Sequence, residues 1–415
     1  MRNVKIKNSH PILSAWIVIC GLLYIFASQF QYPFMPVLFL YGMVFGLVVM
    51  TLFEDRIILS NHMAIFGLVV VSSFIGLIYT TMKEDGLREA ILFTFFLGMF
   101  ALSLINPAFI RIFTKWIYIC SVVLVISTLI HFLSADWFNS WIKQVLRPNI
   151  YEELMWSYNV DHTYAGLAGL TPNTTFSAAI VFGYSFLHLI KKEEMPIIKN
   201  RGQNIIFLIL SLFAIVICSK RGIFVAVIIA LLVVLFYIYR GKHFFVRFVS
   251  VAVVAAIIMI ILYFTSDFVS AFFNRFTGDD ITTGRDDIYR DVWNDFVKSN
   301  ILIGRGTGAT YKVADTGAHN IYLQILYDHG VILSVPYYIF LIYNYALAFK
   351  NQCPLSIFVQ TMFLVYGLVG NPLYSNMFMM IYLYYVLYAA RMPVFIKENK
   401  ESQRIANGGN NGKSV

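Results

Sequence analysis

Apolar runs of membrane length follow one another along nearly the whole chain, and they restrict the fold more than any motif does. A helix of about 20 apolar residues crosses roughly 30 Å of hydrocarbon with its backbone hydrogen bonds satisfied internally. Twelve such runs can be read, with cores at 11–30, 34–52, 63–81, 87–106, 113–133, 172–190, 203–219, 221–239, 244–265, 331–349, 354–370 and 375–391. With 59% hydrophobic and 13% charged residues, the chain is far too apolar for a soluble protein of 415 residues. The expected fold is an all-α polytopic membrane protein of about 12 transmembrane helices with one large extracytoplasmic loop that contains short helices.

The long loop is the exception to the apolar pattern. This reading divides the chain into helices 1 to 9 over 1–265, a polar loop over 266–330, helices 10 to 12 over 331–397, and a disordered cytoplasmic tail over 398–415. Lys and Arg are retained on the cytoplasmic side of short loops, and placing both termini inside puts most of the 31 Lys and Arg residues there. The loop then faces away from the cytoplasm. The formal charge of +9 is largely this topological signal, and no nucleic-acid module accompanies it. Cys20, Cys120, Cys218 and Cys353 show neither disulfide nor zinc spacing and read as packing residues. The basic N-terminus runs into apolar sequence with no Ala-x-Ala-like site, which suggests an uncleaved first span. A smaller outer loop, 134–171, is rich in Trp and Tyr, and interface anchoring explains it better than stacking on sugar rings.

Within this frame the sequence has no Gly-x-Ser-x-Gly, no His-Glu-x-x-His and no P-loop, so arginine and histidine carry any chemistry. Lys220-Arg221 interrupts the apolar stretch from Ile205 to Tyr239 and must sit where one span turns into the next. Two readings fit: a snorkelling pair against lipid phosphates, or a pyrophosphate site. Thr283-x-x-Asp286 is a capping-box pattern, and Ile288, Val292, Trp293, Phe296 and Val297 follow at helical spacing, which predicts an amphipathic helix over 284–298. Arg285 then shares the inward face while Arg290 faces water. An inward arginine needs an anion, either Asp279, Asp280 or Asp287, or a ligand.

The Gly304-Arg305-Gly306-Thr307-Gly308 turn can direct several N–H groups at an anion. After it, His319 to Gly330 reads as a helix ended by Gly330, with His319 at the start. A helix N-terminus favours neutral imidazole, which suits either a simple cap or a general base near neutral pH.

Four motifs in order carry a resemblance: Ser219-Lys220-Arg221-Gly222, then Gly284-Arg285 with Trp293, then Ile303-Gly304-Arg305-Gly306-Thr307-Gly308, then Ala318-His319-Asn320-Ile321-Tyr322-Leu323-Gln324 with Asp328-His329-Gly330-Val331. Together they resemble the bacterial O-antigen ligase and Wzy-type polysaccharide polymerase superfamily. The resemblance implies a GT-C-type glycosyltransferase of the bacterial cytoplasmic membrane, independent of metals and cofactors, with its active site on the outer face. Its donor would be an undecaprenyl-diphosphate-linked glycan, its acceptor another lipid-linked repeat, and its partners a chain-length regulator and a flippase. By the same resemblance, Arg221 and Arg285 hold the donor diphosphate and His319 activates the acceptor hydroxyl. Lys220 and Arg305 depart from the family's pattern and stand, with Asn320 and Tyr322, as secondary candidates. A polymerase is expected. The alternatives are a ligase that transfers to lipid A-core and, from another class, a flippase for the same lipid-linked glycans.

Overall fold

The computed structural model describes residues 11–26, 30–31, 35–53, 60–105, 107–191, 200–239, 246, 284–315 and 317–408. Through these run fourteen helices: α1 (Pro11–Phe26), α2 (Met35–Phe53), α3 (Asn61–Tyr79), α4 (Lys83–Ile105), α5 (Pro107–Leu133), α6 (Ala135–Ile142), α7 (Pro148–Asp161), α8 (Thr171–Lys191), α9 (Arg201–Ile217), α10 (Arg221–Ile238), α11 (Arg285–Val297), α12 (Ile321–Lys350), α13 (Pro354–Tyr366) and α14 (Asn376–Gly408). The all-helical expectation is met among the described residues. Helices stand at every expected span except 244–265, which lies outside them, as does 266–283 of the long loop. Among the described residues, four stretches are long and apolar enough to cross a membrane, namely Asn61–Tyr79, Ile112–Leu133, Arg221–Ile238 and Ile321–Lys350.

The centre of the bundle is α14. Met377 to Ala389 are buried all round, including Tyr382, Tyr384, Tyr385 and Tyr388. A helix without a polar face has nowhere to lie but inside the protein or across lipid. Lipid removes the hydrophobic force between helices, so close packing and polar contacts must hold them. Phe113 stacks on Tyr384 with centroids 3.7 Å apart, and the Ser356 hydroxyl donates to the Tyr385 carbonyl at 2.7 Å. Helix α8 approaches α13 so closely that a Cβ on Gly183 would lie 2.3 Å from the Phe358 ring. The expected disordered tail from 398 needs correcting, because α14 continues to Gly408. Its last stretch, Ile396 to Ala406, has neither Gly nor Pro and is rich in Lys, Glu, Gln and Arg, which favour helix.

Helix α12 breaks where the sequence predicts a stop. Gly330 has φ 62 and ψ −172, and helical structure resumes beyond it. Four backbone groups would be orphaned by such a break, and the strand of chain before α12 satisfies them. The Arg305 and Gly306 amides donate to the Tyr327 and Asp328 carbonyls at 3.0 and 2.8 Å, while the Val331 and Ile332 amides donate to the Ile301 and Leu302 carbonyls at 2.9 Å. The exchange explains why a buried helix tolerates the interruption. Thr307 anchors the glycine turn on its other side, donating to the Ser73 carbonyl in α3 at 2.7 Å.

Helix α11 matches the predicted amphipathic helix to within a residue at each end. Val292 and Phe296 are buried against Ala309, Ala314, Ala318 and Tyr327 in a small cluster separate from the main core. Trp293 and Val297, part of the apolar pattern, are instead about half exposed at 48% and 45%. The helix begins after Gly284, which makes no side-chain cap; Thr283 of the expected capping box lies outside the described residues.

Candidate functional site

Three elements converge near the start of α12. The first is the turn between α9 and α10, where Ser219 adopts φ 53 and Lys220 precedes the first residue of α10, Arg221. The turn is fastened to the 134–171 segment: Tyr164 N–H donates to the Ile217 carbonyl at 3.4 Å and the Cys218 thiol to the Tyr164 carbonyl at 3.2 Å. Buried at the end of α9, that thiol acts as a packing and hydrogen-bonding group. The second element is α11, which starts at Arg285. The third is His319, whose φ of 51 lies in the left-handed region just before the α12 cap.

Asn320 forms that cap. Its side-chain oxygen accepts from the Tyr322 and Leu323 amides at 3.0 and 3.1 Å, satisfying two otherwise orphan donors. His319 is thereby freed from capping, one of its two sequence readings. The loop around it is tied down on several sides. Tyr289 of α11 donates to the His319 carbonyl at 3.1 Å and approaches the Leu368 carbonyl at 3.3 Å. The Ile321 amide donates to the Gly367 carbonyl at 2.8 Å, and the Ala318 amide to Gln324 Oε1 at 3.2 Å. A Cβ on Gly222, in the first turn of α10, would come within 2.6 Å of Val369, so the 366–370 loop also touches the Lys220 element.

Electrostatics joins these elements. Burial lowers the His319 imidazole below its usual range, and the Arg285 and Lys220 charges lower it further. The neutral form is therefore favoured at neutral pH. Burial likewise lowers the Lys220 ammonium; Asp161 offsets this, Arg285 adds to it and Glu153 again offsets it. Burial raises the Tyr289 phenol while Arg285 acts in the opposite sense. Arg285, Lys220 and His319 thus share one field, with Arg221 adjoining Lys220 and two α7 carboxylates, Asp161 and Glu153, acting on it.

Arg285 forms no ion pair with a carboxylate among the described residues. Asp287 pairs instead with exposed Arg290 one helical turn on, as the face analysis predicts for Arg290. Asp279 and Asp280 lie outside the described residues.

Two secondary candidates point elsewhere. Arg305 pairs with Asp295 at 2.9 Å and donates to its backbone carbonyl at 3.2 Å. Tyr322 turns its hydroxyl to the Leu364 carbonyl in α13 at 2.8 Å. The end of the glycine turn and the 3-10 turn after it do receive a carboxyl group, but an internal one. Asp328 Oδ1 accepts from the Thr310 amide at 2.8 Å and from its hydroxyl at 2.7 Å.

Sequence reasoning missed Tyr289 and Gln324 as neighbours of the site, although both lie in motifs or faces already marked: Tyr289 on the Arg285 face, Gln324 in the His319 motif. It also missed Asp161 and Glu153, which no local pattern distinguishes from other surface acids. Among the described residues, no group of three or more His, Cys, Asp or Glu side chains could hold a metal ion.

No curated protein matches the chain. The model of the O-antigen ligase family matches residues 206–338, a stretch that contains Lys220, Arg221, Arg285 and His319. Over that stretch the resemblance read from the motifs is therefore shown, and residues 206–338 are similar to the O-antigen ligase family.

Proposed function

We propose that this protein is a polysaccharide polymerase, a metal-independent membrane glycosyltransferase that joins lipid-diphosphate-linked repeat units. The observation that carries this reading is a neutral-favouring histidine, His319, set in the field of Arg285 and Lys220 from two other elements. Arg221, Arg285 and Lys220 would bind the donor diphosphate. Arginine presents a fixed fork of donors to phosphate oxygens, and charge developing on the leaving group is stabilised most by groups already in place. His319 would remove the proton from an acceptor hydroxyl. That oxygen then attacks the anomeric carbon, the bond from this carbon to the diphosphate oxygen breaks, and the lipid diphosphate leaves with the electron pair. The membrane is the bacterial cytoplasmic membrane, with the termini inside and the site on the outer face.

Purified protein incubated with a lipid-diphosphate-linked repeat unit should form a ladder of products. His319→Ala should slow turnover by about 10² to 10⁴ while leaving donor binding intact. Arg221→Ala should weaken donor binding itself. Wild-type turnover in His319→Ala would sink the assignment. A second reading, ligase, is favoured by the description of the matching family. It predicts no ladder but transfer once lipid A-core is supplied, and transfer to neither acceptor would leave the flippase.

A further inference from the structure

A cavity of about 490 Å³ opens at the far end of α11, between the end of α3, the glycine turn and the 3-10 turn Ala309–Lys312. Its charged lining residues are Asp295, Arg305 and Lys312. The acid is already spent: Asp295 takes Arg305 on one oxygen at 2.9 Å and the Tyr327 hydroxyl on the other at 2.6 Å. What the cavity keeps is positive. Lys312 is exposed and pairs with no carboxylate among the described residues, and Arg305 Nε is buried with no acceptor. A buried guanidinium N–H without a partner is costly and marks a place where an acceptor belongs.

The neutral lining has its own chemistry. Tyr79 spends its hydroxyl on the Ile303 carbonyl, which leaves its half-buried ring as the available surface, while buried Tyr327 spends its hydroxyl on Asp295. Asn300 accepts the Leu302 amide on its oxygen at 3.1 Å and keeps its NH₂ to donate. Ser299 donates to the Phe296 carbonyl at 2.6 Å and keeps its lone pairs to accept. An aromatic face beside fixed donors and acceptors suits a sugar ring, and the excess cation suits a carboxylate on it.

We propose that this cleft binds an acidic sugar unit, a hexuronate, of the glycan brought to the site. The inference rests on the transferase reading above for the class of ligand. Position supports it: Asp295 and Arg285 lie at opposite ends of the thirteen-residue α11, roughly 15 Å apart by helical rise. A glycan several rings long, attached to a diphosphate near Arg285, would reach the cleft.

Saturation-transfer NMR on the full-length protein in detergent tests this with three probes: methyl glucuronide, methyl glucoside and inorganic phosphate. Glucuronide should bind at least tenfold more tightly than glucoside and should not be displaced by equimolar phosphate. Lys312→Glu should weaken it at least tenfold by reversing the cation, and should spare the fold, because this side chain is exposed and forms no ion pair among the described residues. His319→Ala should leave it unchanged. Equal binding of glucoside and glucuronide, displacement by phosphate, or indifference to Lys312→Glu would overturn the proposal. The two readings fail separately: product ladders without glucuronide binding reject the subsite alone, and glucuronide binding without any transfer rejects the transferase alone.

Discussion

Replacing Gly330 by alanine puts the backbone exchange at the α12 break to a quantitative test. At φ 62 and ψ −172 the residue occupies a region that only glycine enters without strain, a cost of order 1 to 3 kcal/mol for any other residue. An added Cβ would also lie 2.4 Å from the Gly304 nitrogen and 2.6 Å from the Ile303 carbonyl carbon and nitrogen. These are backbone atoms, so no rotamer change relieves the overlap, and overpacking adds about 1 to 3 kcal/mol. The expected loss is roughly 2 to 6 kcal/mol. Two other substitutions isolate its parts. Gly284 has φ 74 but nothing within 4 Å of a built Cβ, so Gly284→Ala should cost only the conformational part, about 1 to 2 kcal/mol. Gly67 is mid-helix in α3, also with open space around it, and Gly67→Ala should stabilise by about 0.5 to 1 kcal/mol. Heating each variant in detergent and following the monodisperse fraction by size exclusion should give the order Gly67→Ala, wild type, Gly284→Ala, Gly330→Ala. If Gly330→Ala and Gly284→Ala melt together, the contact between turn and break does not hold α12 in its observed form.

The remaining expectations concern the site and its support. Because burial depresses His319, with Arg285 and Lys220 adding to it, the acid limb of kcat/KM, where activity is lost as the histidine protonates, should lie below pH 6.5. Lys220→Met should move it to higher pH, whatever happens to the absolute rate; an unmoved limb in a pH–rate profile would separate the two groups. Asn320→Ala removes an acceptor that caps two amides, which should cost about 0.5 to 2 kcal/mol of stability. It should also reduce turnover by loosening the His319 backbone, as measured by thermal and product-ladder assays side by side. Thr310→Val deletes the hydroxyl donor to buried Asp328 and should destabilise by about 1.5 to 3 kcal/mol, whereas Thr310→Ser, which keeps it, should stay near wild type in the same melt.

The helical class, the amphipathic helix carrying Arg285 and the interruption at Gly330 were all legible in the sequence, because each is written as a local period or a glycine at a definite place. Arg285 and Arg290 sort correctly by angle alone. Partnerships across the chain were not legible. Arg305 sits in a turn that looks made for a ligand, yet its carboxylate partner Asp295 comes from the end of another helix. Asp328 reads as one residue of a motif, and only the fold shows it to be the carboxyl group that the glycine turn and Thr310 receive. The segment 134–171 was read from its aromatics as an interface anchor. Through its backbone Tyr164 also fastens the α9–α10 turn, and the Asp161 and Glu153 charges act on Lys220, relations that composition does not encode.

The two hydrophobic clusters have a mechanical consequence. Arg285 extends from the small cluster around Val292 and Phe296, while Lys220 is borne by α10, whose buried side belongs to the main core. Helix α12 contributes to both clusters and so joins them, and the two cations lie close enough to act on one another. Under the proposed function, a diphosphate lying across both would turn one repulsion into two attractions, so that the substrate itself would complete the site.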